Sequence, residues 1–194
     1  MHIQTIIPDR LYCVQDLVSA GLVESIQAQA WLRMPQGPGP GQETWARQLV
    51  DSCAATQEFD LAIGSAVALI NQQLGTQFST PTWSSWWVDL PGFQVNMHCD
   101  NAGIATALHM YWAVPSEEYG TAFYSDRDPT RDFAGCHPDQ LDLVHQFASC
   151  VNTGYLMRNE PDPESGQLPR LWHGMFNPVP QGQFRLSSYT ILKE

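Results

Sequence analysis

Apolar positions along the first third of the chain recur at helical spacing. Between residues 15 and 33, Leu17, Val18, Leu22, Ile26, Ala30 and Trp31 fall one, three or four apart, and the stretch from Pro35 to Gly41 ends the run. Thr56, followed by Gln57 and Glu58, opens a second, longer helix in which Phe59, Ile63, Val67 and Ile70 recur every three or four residues until Gly75 stops it. A shorter helix is predicted around Trp45 to Cys53. After Gly75 the period changes. Short β-branched or aromatic segments, separated by Pro, Gly and Asn-Asp clusters, predict strands near 83–88, 93–98, 104–113, 121–125, 154–157, 170–174 and 184–192. Residues Pro138 to Cys150 read as a helical or irregular insertion. The pattern as a whole predicts one α+β, mainly β domain over 1–194, in which a helical support (1–80) buttresses a jelly-roll core (81–194).

Composition narrows the function classes. At 194 residues with 43% hydrophobic content, the chain can bury a core without disulfides, and its five cysteines, Cys13, Cys53, Cys99, Cys136 and Cys150, show no C-x-x-C spacing. They read as reduced thiols. A net charge of -11 repels phosphate backbones, so nucleic-acid binding is not expected. The basic set is eight Arg and a single Lys, Lys193, which leaves no polybasic patch for an anionic membrane. With no run of 18 apolar residues, and with a start, MHIQTIIPDR, unlike an export signal, the expected location is cytoplasmic.

Candidate chemistry begins at 93–98, where alternation puts Phe93, Val95 and Met97 on one face and Gln94, Asn96 and His98 on the other. If the pleat continues, Asp100 joins His98, and an imidazole and a carboxylate can converge on one cation. An isolated H-x-D is more often the solvated side of a surface strand. Further on come His173 and, twelve residues later, Arg185 with Ser187 on one face of a strand whose other face carries Phe184, Leu186 and Leu192. A hairpin through Pro178, Pro180 and Gly182 would set this strand beside that of His173. Arginine's planar fork grips carboxylates bidentately, and serine adds a donor.

In 104–113 the small residues Ala105, Ala107 and Ala113 share a face with His109 and Tyr111, while Ile104, Thr106, Leu108, Met110 and Trp112 take the other. The first face suits a cavity and the second a packing surface against the helices. His109 then points inward, as a hydrogen-bonded interior histidine or as a contact to a ligand. Trp83, Trp86, Trp87 and Trp172 could wall a substrate site, although core packing is tryptophan's commoner role. Cys136-His137 lacks the second pair that a zinc site needs and reads as solvent-exposed.

The order His98-x-Asp100, His173, Arg185-x-Ser187 resembles the iron(II)- and 2-oxoglutarate-dependent oxygenases, and within them the small prolyl-4-hydroxylase-like proteins of bacteria and phages. The likeness spans roughly 85 to 192, through GFQVNMHCDN, LHMYW, GTAFYSD, NTGYLMRN, LWHGMFNP and FRLSSYT. The resemblance implies a double-stranded β-helix holding Fe(II) on His98, Asp100 and His173. It also implies that Arg185 docks the distal carboxylate of 2-oxoglutarate, with Ser187 and Tyr111 as helpers. Trp112-Ala113 depart from the Leu-Asn that follows the corresponding tyrosine in the family. The implied activity is a dioxygenase that uses O2, releases succinate and CO2, draws on ascorbate as a candidate reductant, and hydroxylates an unidentified small molecule, amino acid or peptide. Two other readings stay open: a cupin-type metal enzyme that does not use 2-oxoglutarate, and a non-catalytic jelly-roll binding module.

Overall fold

The computed structural model describes residues 1–32, 47–50, 52–79, 81, 84–100, 106–114, 116–127, 140–159 and 171–193. Trp45, Trp83, Ile104, Ala105, Cys136 and His137 lie outside the described residues. Among the described residues, ten strands and two α-helices follow one another as β1 (His2–Ile7), β2 (Leu11–Gln15), α1 (Ala20–Leu32), β3 (Arg47–Leu49), α2 (Ala54–Leu74), β4 (Ser85–Asp89), β5 (Thr106–Ala113), β6 (Thr121–Asp126), β7 (Leu141–Gln146), β8 (Thr153–Arg158), β9 (Trp172–Met175) and β10 (Arg185–Leu192). They form a seven-stranded sheet, β1-β2-β8-β5-β10-β4-β3, and a three-stranded sheet, β7-β6-β9, both antiparallel throughout.

The long helix α2 behaves as its sequence dictates. The Cys53 N–H donates to Thr56 Oγ1 at 2.9 Å, and Gly75 closes the helix in the left-handed conformation (φ 68°), its N–H bonded to the Asn71 carbonyl. The helix α1 starts later than its apolar pattern suggests, because residues 16–18 are held outside it. Asn152 accepts from Val18 N–H through its side chain and donates to the Val18 carbonyl, while its own carbonyl takes the Asp16 N–H. Both helices pack on one face of the large sheet. Ile26, Phe59, Ile63 and Ile70 join Trp86, Leu108, Met110 and Trp112 in one buried cluster, with Phe59 edge-on to Trp86 and Trp112 at 5.0 and 5.3 Å. The bulky face of β5 therefore meets the helices as expected.

Four expectations are corrected. A hairpin, β1–β2, precedes α1 where no strand was anticipated, its mixed burial giving no clean alternation. The helix expected around 45–53 is replaced in its described part by β3, since a few residues cannot nucleate a helix but can pair with the edge of β4. The supposed insertion 138–150 contains β7, an edge strand whose Leu143 and Val144 are exposed, so its period was masked. The hairpin between the His173 and Arg185 strands does not form. The strand β9 pairs with β6, whereas β10 lies between β4 and β5 in the other sheet, so residues 176–184 cross from one layer to the other.

Candidate metal and carboxylate site

Residues 93–98 are extended but not a regular strand. They run along β9 through Met175 N–H to the Val95 carbonyl (2.9 Å) and a reciprocal His98–His173 pair (3.0 and 2.8 Å). This close pairing needs Gly174, where a Cβ would lie 2.9 Å from the Val95 oxygen and 3.1 Å from the Met97 nitrogen. Because the pleat is irregular, Val95 and His98 both face the same cavity, contrary to strict alternation.

The backbone pair fixes the two imidazoles side by side, with ring centroids 4.3 Å apart. His98 Nδ1 lies 2.8 Å from the Asn96 carbonyl, and His173 Nδ1 lies 3.0 Å from that of Leu171. A carbonyl only accepts, so each neutral ring carries its proton on Nδ1 and turns a bare Nε2 inward, the arrangement that orients metal-binding histidines. Both Nε2 atoms lie 3.6 Å from Asp100 Oδ1. The three ligand atoms fall within 4.8 Å of one another. The Tyr189 hydroxyl donates to the other Asp100 oxygen at 3.4 Å. Contact with the Asp100 carboxylate raises the His98 pKa against the opposing effect of burial. Burial alone would raise Asp100, yet the contact with His98 and the nearby imidazoles outweigh it and hold the carboxyl below its usual range. Burial lowers His173. An ionised carboxylate facing two imidazole Nε2 atoms is a donor set suited to a divalent transition metal.

The same cavity, of about 290 Å³, is also lined by Arg185, Arg47, Thr121, His109 and Tyr155. Arg185 is almost wholly buried and belongs to the face of β10 that also carries Ser187 and Tyr189. A bulge where Leu186 opposes Ala113 and Ser187 opposes Tyr111 leaves Trp112 as the extra residue, and Gln27 of α1 takes the Trp112 carbonyl at 2.7 Å. Arg185 donates through Nε (2.8 Å) and Nη2 (2.6 Å) to Asp89 Oδ2 and through Nη1 (2.8 Å) to the Tyr119 carbonyl.

The expected metal ligands His98, Asp100 and His173 thus come together, and Arg185 opens on their cavity. Tyr111 stands behind that lining. Its ring lies 5.5 Å beneath the Arg185 guanidinium and its hydroxyl bonds Thr121 at both the side chain (2.8 Å) and the backbone (2.9 Å). Ser187 Oγ is fully buried without a hydrogen-bond partner. His109 points inward, its Nδ1 2.9 Å from the Tyr155 hydroxyl and its buried Nε2 unpartnered; burial first, then Arg185, push its pKa well below the ordinary value. Of the tryptophans, Trp87 lines the cavity, whereas Trp86 is core and Trp172 packs with Ala122, Tyr124 and Leu141. The sequence reading missed Arg47, Asp89, Thr121, Tyr155 and Tyr189. The scarcity of basic residues was the available signal for Arg47, and helix assignment concealed it.

A two-layer β structure with a His-Asp-His cluster and a facing arginine has the fold of iron- and 2-oxoglutarate-dependent oxygenases, prolyl-4-hydroxylase-like ones among them. The chain is similar to a prolyl-4-hydroxylase from Pseudomonas putida, at 16% identity and a TM-score of 0.58, covering 95% of this chain and 92% of that one. It is also similar to the viral collagen prolyl hydroxylase of Paramecium Bursaria Chlorella virus-1, solved as a 2-oxoglutarate complex (14% identity, TM-score 0.56, coverage 95% and 96%). A third similar structure is HygX from Streptomyces hygroscopicus, solved with nickel, 2-oxoglutarate and hygromycin B (11% identity, TM-score 0.61, coverage 95% and 83%). No family model and no curated protein sequence matches the chain. Among the described residues, no helix is long and apolar enough to cross a membrane.

Proposed function

We propose that the chain is a single oxygenase domain of the double-stranded β-helix type, a cytoplasmic iron(II)- and 2-oxoglutarate-dependent dioxygenase that hydroxylates a small-molecule, amino-acid or peptidyl substrate. The observation that carries this reading is the opening of two anchored histidines and an ionised carboxylate onto the same cavity as a buried arginine.

His98, Asp100 and His173 would hold the metal through Nε2, a carboxylate oxygen and Nε2. When bound, iron(II) with 2-oxoglutarate and O2 supplies the oxidising chemistry, and succinate and CO2 leave. The remaining tasks fall to the protein. Three of Arg185's five N–H donors are spent on Asp89 and Tyr119, which leaves two for the cosubstrate's far carboxylate. The unpartnered Ser187 Oγ and His109 Nε2, both buried, are polar atoms that a ligand could satisfy. Tyr111 orients Thr121 at the wall, and Tyr189 steadies Asp100. Val95 and Trp87 supply apolar lining that excludes water from the oxidising step.

The cupin-type rival is favoured by one observation, that Arg185 already grips a protein carboxylate. Succinate formation separates the two readings. Protein reconstituted anaerobically with iron(II) should develop a weak visible absorption band on adding 2-oxoglutarate. With air and a library of peptides and metabolites, mass spectrometry should then show succinate and a product heavier by one oxygen atom. Iron binding without any response to 2-oxoglutarate would hand the site to the rival.

A further inference from the structure

The pairing of Arg185 with Asp89 raises a difficulty of charge. A carboxylate arriving at Arg185 meets a guanidinium whose charge Asp89 already balances, and Asp89 itself, with no exposed surface, repels it. The strand register resolves this. In the order β3-β4-β10, Arg47, Asp89 and Arg185 stand directly opposite one another, so the carboxylate is flanked by two guanidiniums. Arg47 Nε lies 2.7 Å from Asp89 Oδ1, out of line for a hydrogen bond, while Arg185 holds Oδ2. Arg47 is also clamped flat, its guanidinium carbon 5.0 Å from the Trp87 ring and 4.8 Å from that of Phe93. The clamp fixes it at the cavity wall at little further entropy cost, with its side chain 26% exposed. The cluster carries two positive charges and one negative, a net +1; without Arg47 it would be neutral.

We propose that Arg47 is a positioning residue for the cosubstrate: by flanking Asp89 opposite Arg185 it supplies the unit of positive charge that lets Arg185 hold the far carboxylate of a dianionic 2-oxo acid. This inference rests on the 2-oxoglutarate reading above. It concerns charge and not contact, so it makes a distinctive demand on substitutions and on ligands.

The test is anaerobic titration of the iron(II)-loaded full chain with 2-oxoglutarate and, separately, with 2-oxopentanoate, which keeps the metal-chelating end and lacks the distal carboxylate. Tryptophan fluorescence and the visible band report binding. One unit charge several ångströms away, at an effective dielectric of about 20, corresponds to about tenfold to a hundredfold in affinity. Arg47→Ala should weaken 2-oxoglutarate by that factor and leave 2-oxopentanoate within about twofold, and Arg47→Lys should keep 2-oxoglutarate within about threefold. Adding Asp89→Asn to Arg47→Ala returns the cluster to +1 and should recover most of the loss. Equal binding of 2-oxoglutarate by wild type and Arg47→Ala, equal losses for both ligands, a lysine variant as weak as alanine, or no recovery in a folded double variant would each overturn the proposal. If wild type itself does not bind 2-oxoglutarate, the cosubstrate reading fails and this inference goes with it. Binding by wild type with an indifferent Arg47→Ala overturns this inference alone.

Discussion

Replacing Arg185 by alanine should damage the fold before any ligand is considered. The side chain makes three hydrogen bonds, two of them to the fully buried Asp89 carboxylate, and its guanidinium lies over the Tyr111 ring. After truncation Asp89 keeps Arg47 as its counter-charge, at 2.7 Å but poorly directed. Summing charged hydrogen bonds would overstate the loss, because such bonds are not additive. Breaking a buried ion pair from one side costs about 3–5 kcal/mol, and the residual Arg47 attraction places this case near the lower end, about 3 kcal/mol. For a chain of this size that corresponds to a fall in Tm of about 6–12 °C. Urea unfolding followed by tryptophan fluorescence, without metal or 2-oxo acid, measures it. The double variant Arg185→Ala/Asp89→Ala removes the poorly paired buried carboxylate and should regain at least about half of the loss. A single variant within about 1 kcal/mol of wild type, or a double variant as unstable as the sum of the two singles, would refute the view that Asp89 depends on Arg185.

His98→Ala and Asp100→Ala should each weaken cobalt(II) or iron(II) binding by more than about a hundredfold, since even partners that only orient ligands are worth 10–100-fold, while Tm stays near wild type. Isothermal titration and thermal melts read both quantities. Gly174→Ala should destabilise by about 1–3 kcal/mol and weaken metal binding too, because its Cβ would press on the Val95 carbonyl and part the His98–His173 pair; normal metal affinity in that variant would count against the pairing. His109 is held neutral when folded but protonates near pH 6.5 when unfolded, so acidification favours the unfolded chain. The stability contributed by this residue should therefore fall by up to about 1.4 kcal/mol per unit below pH 6.5, and His109→Gln should show a shallower decline in denaturation midpoints across pH 6.5 to 5.

Local periodicity revealed the elements whose own burial sets their pattern. The helix α2 was legible from Phe59, Ile63, Val67 and Ile70 together with Gly75, and β5 from the contrast between Leu108, Met110 and Trp112 on one face and His109 and Tyr111 on the other. The proposed metal ligands were legible through their spacing and the family resemblance, although the segment carrying His98 and Asp100 is not the regular strand that the alternation implied. What escaped depends on pairing between distant segments. Residues 47–49 become β3 only because the edge of β4 is available, and no local pattern announces that Arg47 will face Asp89 across it. The exchange of layers between β9 and β10 was hidden for the same reason, since the prolines at 178 and 180 and Gly182 suit a turn whether it returns to the same sheet or leaves it.

The residues around the cavity are anchored in different layers. His173 lies on β9 of the small sheet, with His98 bridged to it, whereas Arg47, Asp89 and Arg185 occupy three adjoining strands of the large one. Side chains wedged between the layers hold them apart, notably Phe123, which stacks on His173 at 5.2 Å and meets Tyr155 edge-on at 4.9 Å. Packed interiors yield little, so such spacers make the cavity a gauge of molecular length. On the proposed reading, a ligand held by the metal cluster and by Arg185 must match the gap between them. On the proposed 2-oxoglutarate reading, trimming Phe123 should then shift preference among diacids of different length through the spacing of the layers.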